Sequence, residues 1–137
     1  MSSIVTGQGA VLFNLWRARK DLEKNFENSL YDAGEELLEE SQARVPVEFG
    51  ELKRSGYARA VGNGFNTTVY VGYTAPYAAY VHECVEMKLY GKPRPSGRGV
   101  YWDPLGQATA KFLEMPARVL RGVLVEIMID GMKIKLR

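Results

Sequence analysis

Apolar positions in the first third of the chain recur with the period of a helix. Between about residue 15 and residue 44, apolar side chains follow at steps of three and four and form one stripe, with charged side chains on the other side. The stripe consists of Leu22, Phe26, Leu30, Ala33 and Leu37. Such a helix would run about 45 Å, so we expect it to break near Ala18 or to project toward a neighbouring molecule. Gly34 within the pattern indicates close packing, and Pro46 is expected to end the helix.

The following segments predict a hairpin, an irregular region and a second helix. Residues 55–61 and 67–73 have the composition of strands, and Gly62-Asn63-Gly64 between them supplies positive φ for a turn. Residues 85–105 contain three prolines and three glycines, too many breakers for one continuous element. Helical spacing returns over residues 105–130, where Pro116 is expected to kink or restart the helix and Gly131 to stop it.

These elements predict an α+β fold. A long N-terminal helix and a C-terminal helix are expected to pack on a small antiparallel β-sheet, with a long irregular loop at about 85–105. At 137 residues, the chain fits a single domain over residues 1–137 that can bury a core without disulfides or metals. Residues 1–10 and 131–137 are candidate extended arms.

Composition narrows the class of protein. With 46% hydrophobic and 25% charged residues, the chain is ordinary for a soluble globular protein, which argues against disorder. Apolar runs fall short of the roughly 20 residues of a membrane span, and the N-terminus lacks a signal pattern, so we expect synthesis in the cytosol and no membrane partner. Cys84 is the only cysteine, which excludes an internal disulfide.

Charge is distributed unevenly along the chain. A net charge of +2 is too small to indicate nucleic-acid binding by itself. An acidic stretch comprises Asp32, Glu35, Glu36, Glu39 and Glu40, and a basic stretch comprises Lys88, Lys92, Arg94 and Arg98. Opposite patches can join copies head to tail, or each can be an ordinary solvated surface, and spacing alone leaves both interpretations open.

Catalytic and metal-binding motifs are weak. His82 is the only histidine, and a zinc site with Cys84 would need further His or Cys ligands that the sequence does not contain. The glycine pairs at 7–9 and 62–64 lack the following residues of a phosphate-binding loop. We therefore expect no enzyme activity, no catalytic residue, no metal and no cofactor, and we expect His82 to form hydrogen bonds within or between subunits.

Tyrosines concentrate in the middle of the chain. Seven of the eight lie between residues 57 and 101, and Trp102 follows them. Tyrosine is favoured at subunit contacts, and it also stacks on single-stranded nucleic acid when arginines are near. Several of these side chains can equally line the core, so three interpretations remain open.

Three stretches, at residues 45–55, 76–83 and 111–117, resemble motifs of the tail-completion (minor tail component) family of tailed bacteriophages. The first contains Val-Pro and then Phe-Gly-Glu-Leu-Lys-Arg-Ser, where the family has threonine in place of Phe49. The second is Tyr-Ala-Ala-Tyr-Val-His-Glu, followed by Cys84 where glycine is usual, and in the third Ala110-Lys111 replaces a proline before Phe-Leu. The motif residues that define the fold are Pro46, Gly50, Leu52, Ser55, Tyr77, Tyr80, Phe112 and Leu113. At these positions Gly50 is expected to give a left-handed turn, Leu52 and Phe112 to lie in the core, and Ser55 to start the hairpin.

The resemblance implies a structural virion protein of the phage neck, assembled in the host cytoplasm. It implies a homo-oligomeric ring, six-fold favoured and twelve-fold the alternative, that joins or completes the tail at the head–tail interface around the DNA channel. Neighbours would be connector or stopper and tail terminator or tail tube proteins, with non-specific DNA contact in the channel. Candidate interface or channel residues are Lys88, Lys92, Arg94, Arg98, Tyr90, Tyr101, Trp102, Glu36 and Glu40. The alternative is a small nucleic-acid-binding module with a basic and aromatic surface.

Overall fold

The computed structural model describes residues 2–46, 50–83 and 111–133, with side chains from residue 7 onward. The first element, α1, is a single helix over Ser2–Arg44. It begins earlier than the predicted start near residue 15 and shows no break at Ala18, so its 43 residues span about 65 Å. The end at Arg44 agrees with the prediction from Pro46, and Val45 turns into the core.

Both predicted strands form and pair as a hairpin. A short helix α2 (Glu51–Arg54) precedes β1 (Gly56–Val61), and β2 (Thr68–Tyr73) pairs with it antiparallel, from Gly56 opposite Tyr73 to Val61 opposite Thr68. The connection spans residues 62–67 and contains a 3₁₀ turn over Gly64–Asn66. It is longer than a tight Gly-Asn-Gly turn because the Glu27 carboxylate of α1 accepts the Gly64 N–H and holds the loop against the helix.

One face of the hairpin lies on α1, and Gly34 permits this contact. A Cβ atom at Gly34 would lie 2.6 Å from Val69 Cγ1 and 3.5 Å from Val71 Cγ2. Both valines project from the same face of β2, toward the helix. The predicted close packing at Gly34 is therefore confirmed, and the contact is one between the helix backbone and the valine side chains.

Within the described residues, three more helices follow β2. They are α3 (Ala78–Glu83), α4 (Glu114–Val119) and α5 (Arg121–Met132). Pro116 lies in the first turn of α4, where its missing N–H would have no helical partner in any case, and the chain breaks instead at Leu120. The helix α5 continues through Gly131, which was expected to stop it, because this glycine packs against α1: a Cβ there would lie 2.5 Å from Ser29 Cβ.

The core lies where the ends of α1, α2, α3 and the start of α4 meet. Its buried apolar members are Val45, Leu52, Ala78 and Phe112, and Leu113 packs against them. Ser41 and Tyr73 tie it to α1 and β2 through a hydroxyl pair at 2.7 Å. The predicted α+β class is confirmed: the protein has a long N-terminal helix, a C-terminal helix and a small antiparallel sheet.

Candidate functional site

Polar side chains meet where α3 ends and α4 begins. The Lys111 N–H donates to the His82 carbonyl at 2.7 Å, which places the two ends of segment 84–110 beside each other. Lys111 has a left-handed backbone, with φ of 56°, a conformation that an L side chain rarely adopts. The imidazole of His82 packs edge-on against the buried Phe112 ring, with centroids 5.1 Å apart. This junction, comprising His82, Glu83, Lys111 and Glu114, is called the α3–α4 junction below.

Hydrogen bonds occupy both nitrogens of the His82 ring. The Glu114 backbone N–H lies 3.3 Å from Nε2, which must therefore accept, and Nδ1 lies 2.9 Å from Glu83 Oε1, to which it donates its proton. The expectation that His82 forms hydrogen bonds inside the molecule is confirmed. With both nitrogens occupied, the imidazole has no lone pair directed at a substrate.

A lysine ammonium compensates the carboxylates of the α3–α4 junction. Lys111 Nζ forms ion pairs with Glu83 and, at 3.1 Å, with Glu114. The hydrogen bond from Lys111 lowers the pKa of Glu83, and the Nδ1–H of His82 adds to this effect. The same bond from Glu83, together with that from Glu114, raises the pKa of Lys111. Lys111 and Glu83 therefore hold each other in their charged forms.

The α3–α4 junction has ligand types that could hold a divalent cation. One ligand atom each from His82, Glu83 and Glu114 lies within 4.8 Å of the others. The ammonium of Lys111 already lies between the two carboxylates, and a metal ion would have to displace it. These contacts make the junction a structural link between α3 and α4.

Motif residues of the first stretch form a compact turn. Gly50 has a left-handed backbone with φ of 78°, as the turn requires, and its carbonyl accepts the Arg54 N–H. Leu52 is buried in the core, as predicted. The Ser55 hydroxyl donates to the Leu52 carbonyl at 2.7 Å, and the Ser55 carbonyl accepts the Thr74 N–H that begins the return from β2.

The N-terminal part of α1 exposes a continuous apolar surface. We call residues 7–20 the α1 extension, because the polar and aromatic side-chain contacts described for them, within the described part of the chain, join them to other α1 residues. Five large apolar side chains there are each more than half exposed. They are Val11, Leu12, Phe13, Leu15 and Trp16. Fully burying such a side chain contributes about 1.5–3 kcal/mol. Because each of the five is already partly covered by its own helix, covering the rest of their surface would contribute on the order of 5 kcal/mol in total.

Basic residues follow this apolar surface directly. Arg17 lies over the Phe13 ring at 4.9 Å, and Lys20 lies 6.0 Å from the centre of the Trp16 ring. Residues 1–16 carry no charged side chain, whereas Arg17, Arg19 and Lys20 follow within four positions. The α1 extension is thus apolar in its first part and cationic at its end.

Helix α5 has a second exposed apolar surface on the side opposite α1. We call it the α5 outer face; its members are Gly122, Val123, Val125, Glu126, Ile129 and Asp130. Val123, Val125 and Ile129 are between 44% and 56% exposed, and the neighbourhood of a Cβ at Gly122 is open. Glu126 and Asp130 add two carboxylates to this face.

The outer face of the hairpin carries aromatic and basic side chains. Tyr70 is about half exposed and stands directly opposite Arg59 in the strand register. Tyr57 lies across Gly72, whose missing side chain leaves room for the ring. Tyr77 and Tyr80 are exposed near α3, whereas Tyr73 is partly buried, so the tyrosines of the described residues divide between surface and core.

Most of the predicted interface residues fall in segment 84–110, outside the described residues. They are Lys88, Tyr90, Lys92, Arg94, Arg98, Tyr101 and Trp102. Of the two acidic candidates, Glu36 is exposed on α1, and Glu40 pairs with Arg44 at 2.9 Å. Sequence reasoning overlooked the α1 extension, because the helical stripe that predicts α1 begins only at Leu22. The uncharged run at residues 1–16 is the signal that could have indicated it.

Comparisons leave the family resemblance as a prediction. No protein-family model, curated protein or solved structure matches the chain. Among the described helices, none combines the length and the apolar character that a membrane crossing needs.

Proposed function

We propose that this protein is a structural, non-catalytic component of the neck of a tailed bacteriophage. Copies form a ring around the DNA channel and join or complete the tail at the head–tail interface. The observation that carries the proposal is the role of the motif residues in the fold. Gly50 provides the left-handed turn, and Leu52 and Phe112 are core residues, as the resemblance implies for these positions.

Exposed apolar surface supports an assembly role. Both the α1 extension and the α5 outer face expose large apolar side chains that a protein acting alone would ordinarily bury. The α3–α4 junction, the polar cluster best placed for chemistry among the described residues, is internally paired. A protein with two apolar surfaces and a satisfied polar cluster suits assembly better than catalysis.

The proposed surroundings follow from the same resemblance. The ring is six-fold, with twelve-fold as the alternative, and its neighbours are connector or stopper proteins and tail terminator or tail tube proteins. The basic residues Lys88, Lys92, Arg94 and Arg98 face either channel DNA or the acidic surface around Glu36 and Glu40. In the channel they would contact phosphates without reading sequence.

Cryo-electron microscopy of the assembled particle tests the proposal. A ring of this chain is expected between head and tail, with density for α1 as a helix of about 65 Å. A deletion of the coding sequence should leave filled heads and separate tails that regain infectivity when purified protein is added. Particles whose head–tail junction lacks this chain would refute the proposal.

A nucleic-acid-binding module is the second candidate, and the outer face of the hairpin favours it. Arg59 and Tyr70 stand opposite each other there, a pairing that suits stacking and phosphate contact. This function predicts that the isolated protein binds single-stranded DNA with an affinity that falls steeply with salt. Replacing Arg59 by Gln and Tyr70 by Ala should then abolish binding, while a Lys53→Gln control on α2 retains it. Absence of binding at low salt would exclude this candidate.

A further inference from the structure

We infer that the α1 extension of one copy packs against the α5 outer face of the next copy, so that copies join head to tail. The inference rests on the proposed function in one respect: the closure of these contacts into a ring is taken from the proposed role in the phage neck. The occupant of each apolar surface is thus a second copy of this chain, and each copy presents one surface of each kind.

The α1 extension has a composition that favours a helix only in contact with a partner. It contains Gly7 and Gly9, and a Cβ at either position would meet nothing within 4 Å. Glycine lowers helix stability by about 1 kcal/mol relative to alanine, so two of them weaken an isolated helix. Most helix stability in proteins comes from packing an apolar face. The exposed apolar face of the α1 extension is therefore expected to be covered.

The same face of α1 packs inside the molecule further along the helix. Val11 and Leu15 lie on the stripe that continues through Leu22 to the buried Ser29, at steps of four, seven and seven residues. In its own chain, this stripe meets α5 at Ser29 and Gly131. Near Ser29, α5 covers this face of α1. In the α1 extension, which lies beyond the end of α5, the same face is exposed.

The two surfaces of one copy cannot meet each other. The end of α5 lies beside Ser29, and the Asn25 side chain donates to the Lys133 carbonyl, so Phe13 lies about 24 Å further along the same continuous helix. The α5 outer face also points away from α1. A contact between two different surfaces on different copies is heterologous, and such contacts generate rings when the rotation closes.

The charges of the two surfaces are complementary. Arg17 and Lys20 follow the apolar part of the α1 extension, and Glu126 and Asp130 flank the apolar residues of the α5 outer face. Within one copy, Lys20 pairs with Glu23 at 3.6 Å and Asp130 pairs with Lys133 at 3.0 Å, so Arg17 and Glu126 carry the complementarity. Pairing unlike surfaces brings these two opposite charges together, whereas pairing two α5 outer faces would bring two Glu126 carboxylates together. Gly122 leaves an open place on α5 for a large side chain such as Trp16.

Cysteine cross-linking tests the head-to-tail contact. In a Cys84→Ser background, Leu12→Cys and Val125→Cys are made singly and together and treated with a short bismaleimide at the highest soluble concentration. We expect the double variant to give a ladder of dimers, trimers and larger products. An equal mixture of the two single variants should give dimers only, and each single variant alone should stay monomeric.

Several outcomes would overturn the inference. Dimers from Leu12→Cys alone would show that two α1 extensions pair with each other, and dimers from Val125→Cys alone would show the same of two α5 outer faces. A monomeric double variant would exclude the contact outright. If, in a Trp102→Phe background, the Trp16 fluorescence shifted to the blue with anionic vesicles and no cross-linked products formed, a membrane surface would be the occupant instead.

A charge reversal supplies the matched controls. Arg17→Glu and Glu126→Lys should each weaken association at least tenfold in sedimentation velocity, and the double variant should recover most of it. Val61→Asp, at an exposed apolar position of the hairpin outside both surfaces, should leave association unchanged. Recovery would not occur if the two side chains lay in separate contacts.

The particle structure separates this inference from the proposed function. If the cross-linked ladders form but the chain is absent from the head–tail junction, the phage function is refuted and the contact between copies is still supported. If the chain forms a neck ring in which the α1 extension contacts a different virion protein, the proposed function is supported and the contact between the α1 extension and the α5 outer face is refuted.

Discussion

The contact between α1 and β2 at Gly34 predicts a measurable steric penalty. Replacing Gly34 by alanine would place a methyl group 2.6 Å from Val69 Cγ1, a distance that Cβ atoms in proteins essentially never show. Val69 is β-branched and held in a paired strand, so its side chain has little freedom to move away. We therefore expect the hairpin to shift away from the helix.

Gly122, a second glycine in a helix, provides a comparison from which the steric cost at Gly34 can be measured. Gly34→Ala gains about 1 kcal/mol of helix propensity, and Gly122→Ala gains at most as much because Gly122 lies in the first turn of α5, where a Cβ meets nothing within 4 Å. The overpacking cost at Gly34, about 1–3 kcal/mol, is therefore at least as large as the difference between their unfolding free energies. We expect Gly122→Ala to stabilise the protein and Gly34→Ala to leave it less stable than Gly122→Ala.

Urea unfolding followed by circular dichroism measures this difference, at low protein concentration so that self-association does not contribute. For a chain of this size, about 3–5 °C in Tm corresponds to 1 kcal/mol, so a thermal melt gives an independent value. Shortening Val69 to alanine in the Gly34→Ala variant should recover part of the loss. Equal stabilisation by Gly34→Ala and Gly122→Ala would refute the close contact.

Three further predictions concern the core and the α3–α4 junction. Phe112→Asp should leave the protein unfolded by circular dichroism, because it buries an unpaired charge at a fully buried position; a soluble variant with an unchanged Tm would contradict the core assignment. Tyr73→Phe should cost about 1–3 kcal/mol in urea unfolding, because the buried Ser41 hydroxyl loses its 2.7 Å partner, whereas no loss would mean that the pair is not formed. Since Lys111 depresses the pKa of Glu83, stability from this pair is present above the ordinary value of 4.5 and is lost as pH falls below it. Lys111→Met should reduce the acid dependence of Tm below that pH, and an unchanged profile would count against the ion pair.

Local sequence patterns were enough to predict the elements that depend on neighbouring residues. The period of apolar residues predicts α1 from Leu22 onward, because these positions face the hairpin and α5. Gly50 and Pro46 act through their own backbone preferences, so their positions in the turn and at the helix end follow from residue type. The two strands follow from composition and the glycines between them.

Long-range contacts account for what the patterns missed. The helix begins at Ser2, whereas the stripe that predicts it begins only at Leu22, and the polar and aromatic contacts described for residues 7–20 join them to α1 itself. The 3₁₀ turn at Gly64 depends on Glu27, and the continuation of α5 through Gly131 depends on Ser29. The pairing of Glu83 with Lys111 joins residues that no helical or strand period relates. The predicted interface residues in segment 84–110 lie outside the described residues and stay predictions.

The hydrogen bond from Lys111 to the His82 carbonyl also bears on protein engineering. It fixes His82 and Lys111, which flank segment 84–110, side by side, so the distance that the intervening chain must bridge does not depend on its length. Each doubling of the length of a flexible loop costs only about 0.6 kcal/mol of closure entropy. An epitope tag or a small reporter domain inserted between residues 84 and 110 should therefore leave the helices and the hairpin intact, and would offer a handle for locating each copy in a larger particle.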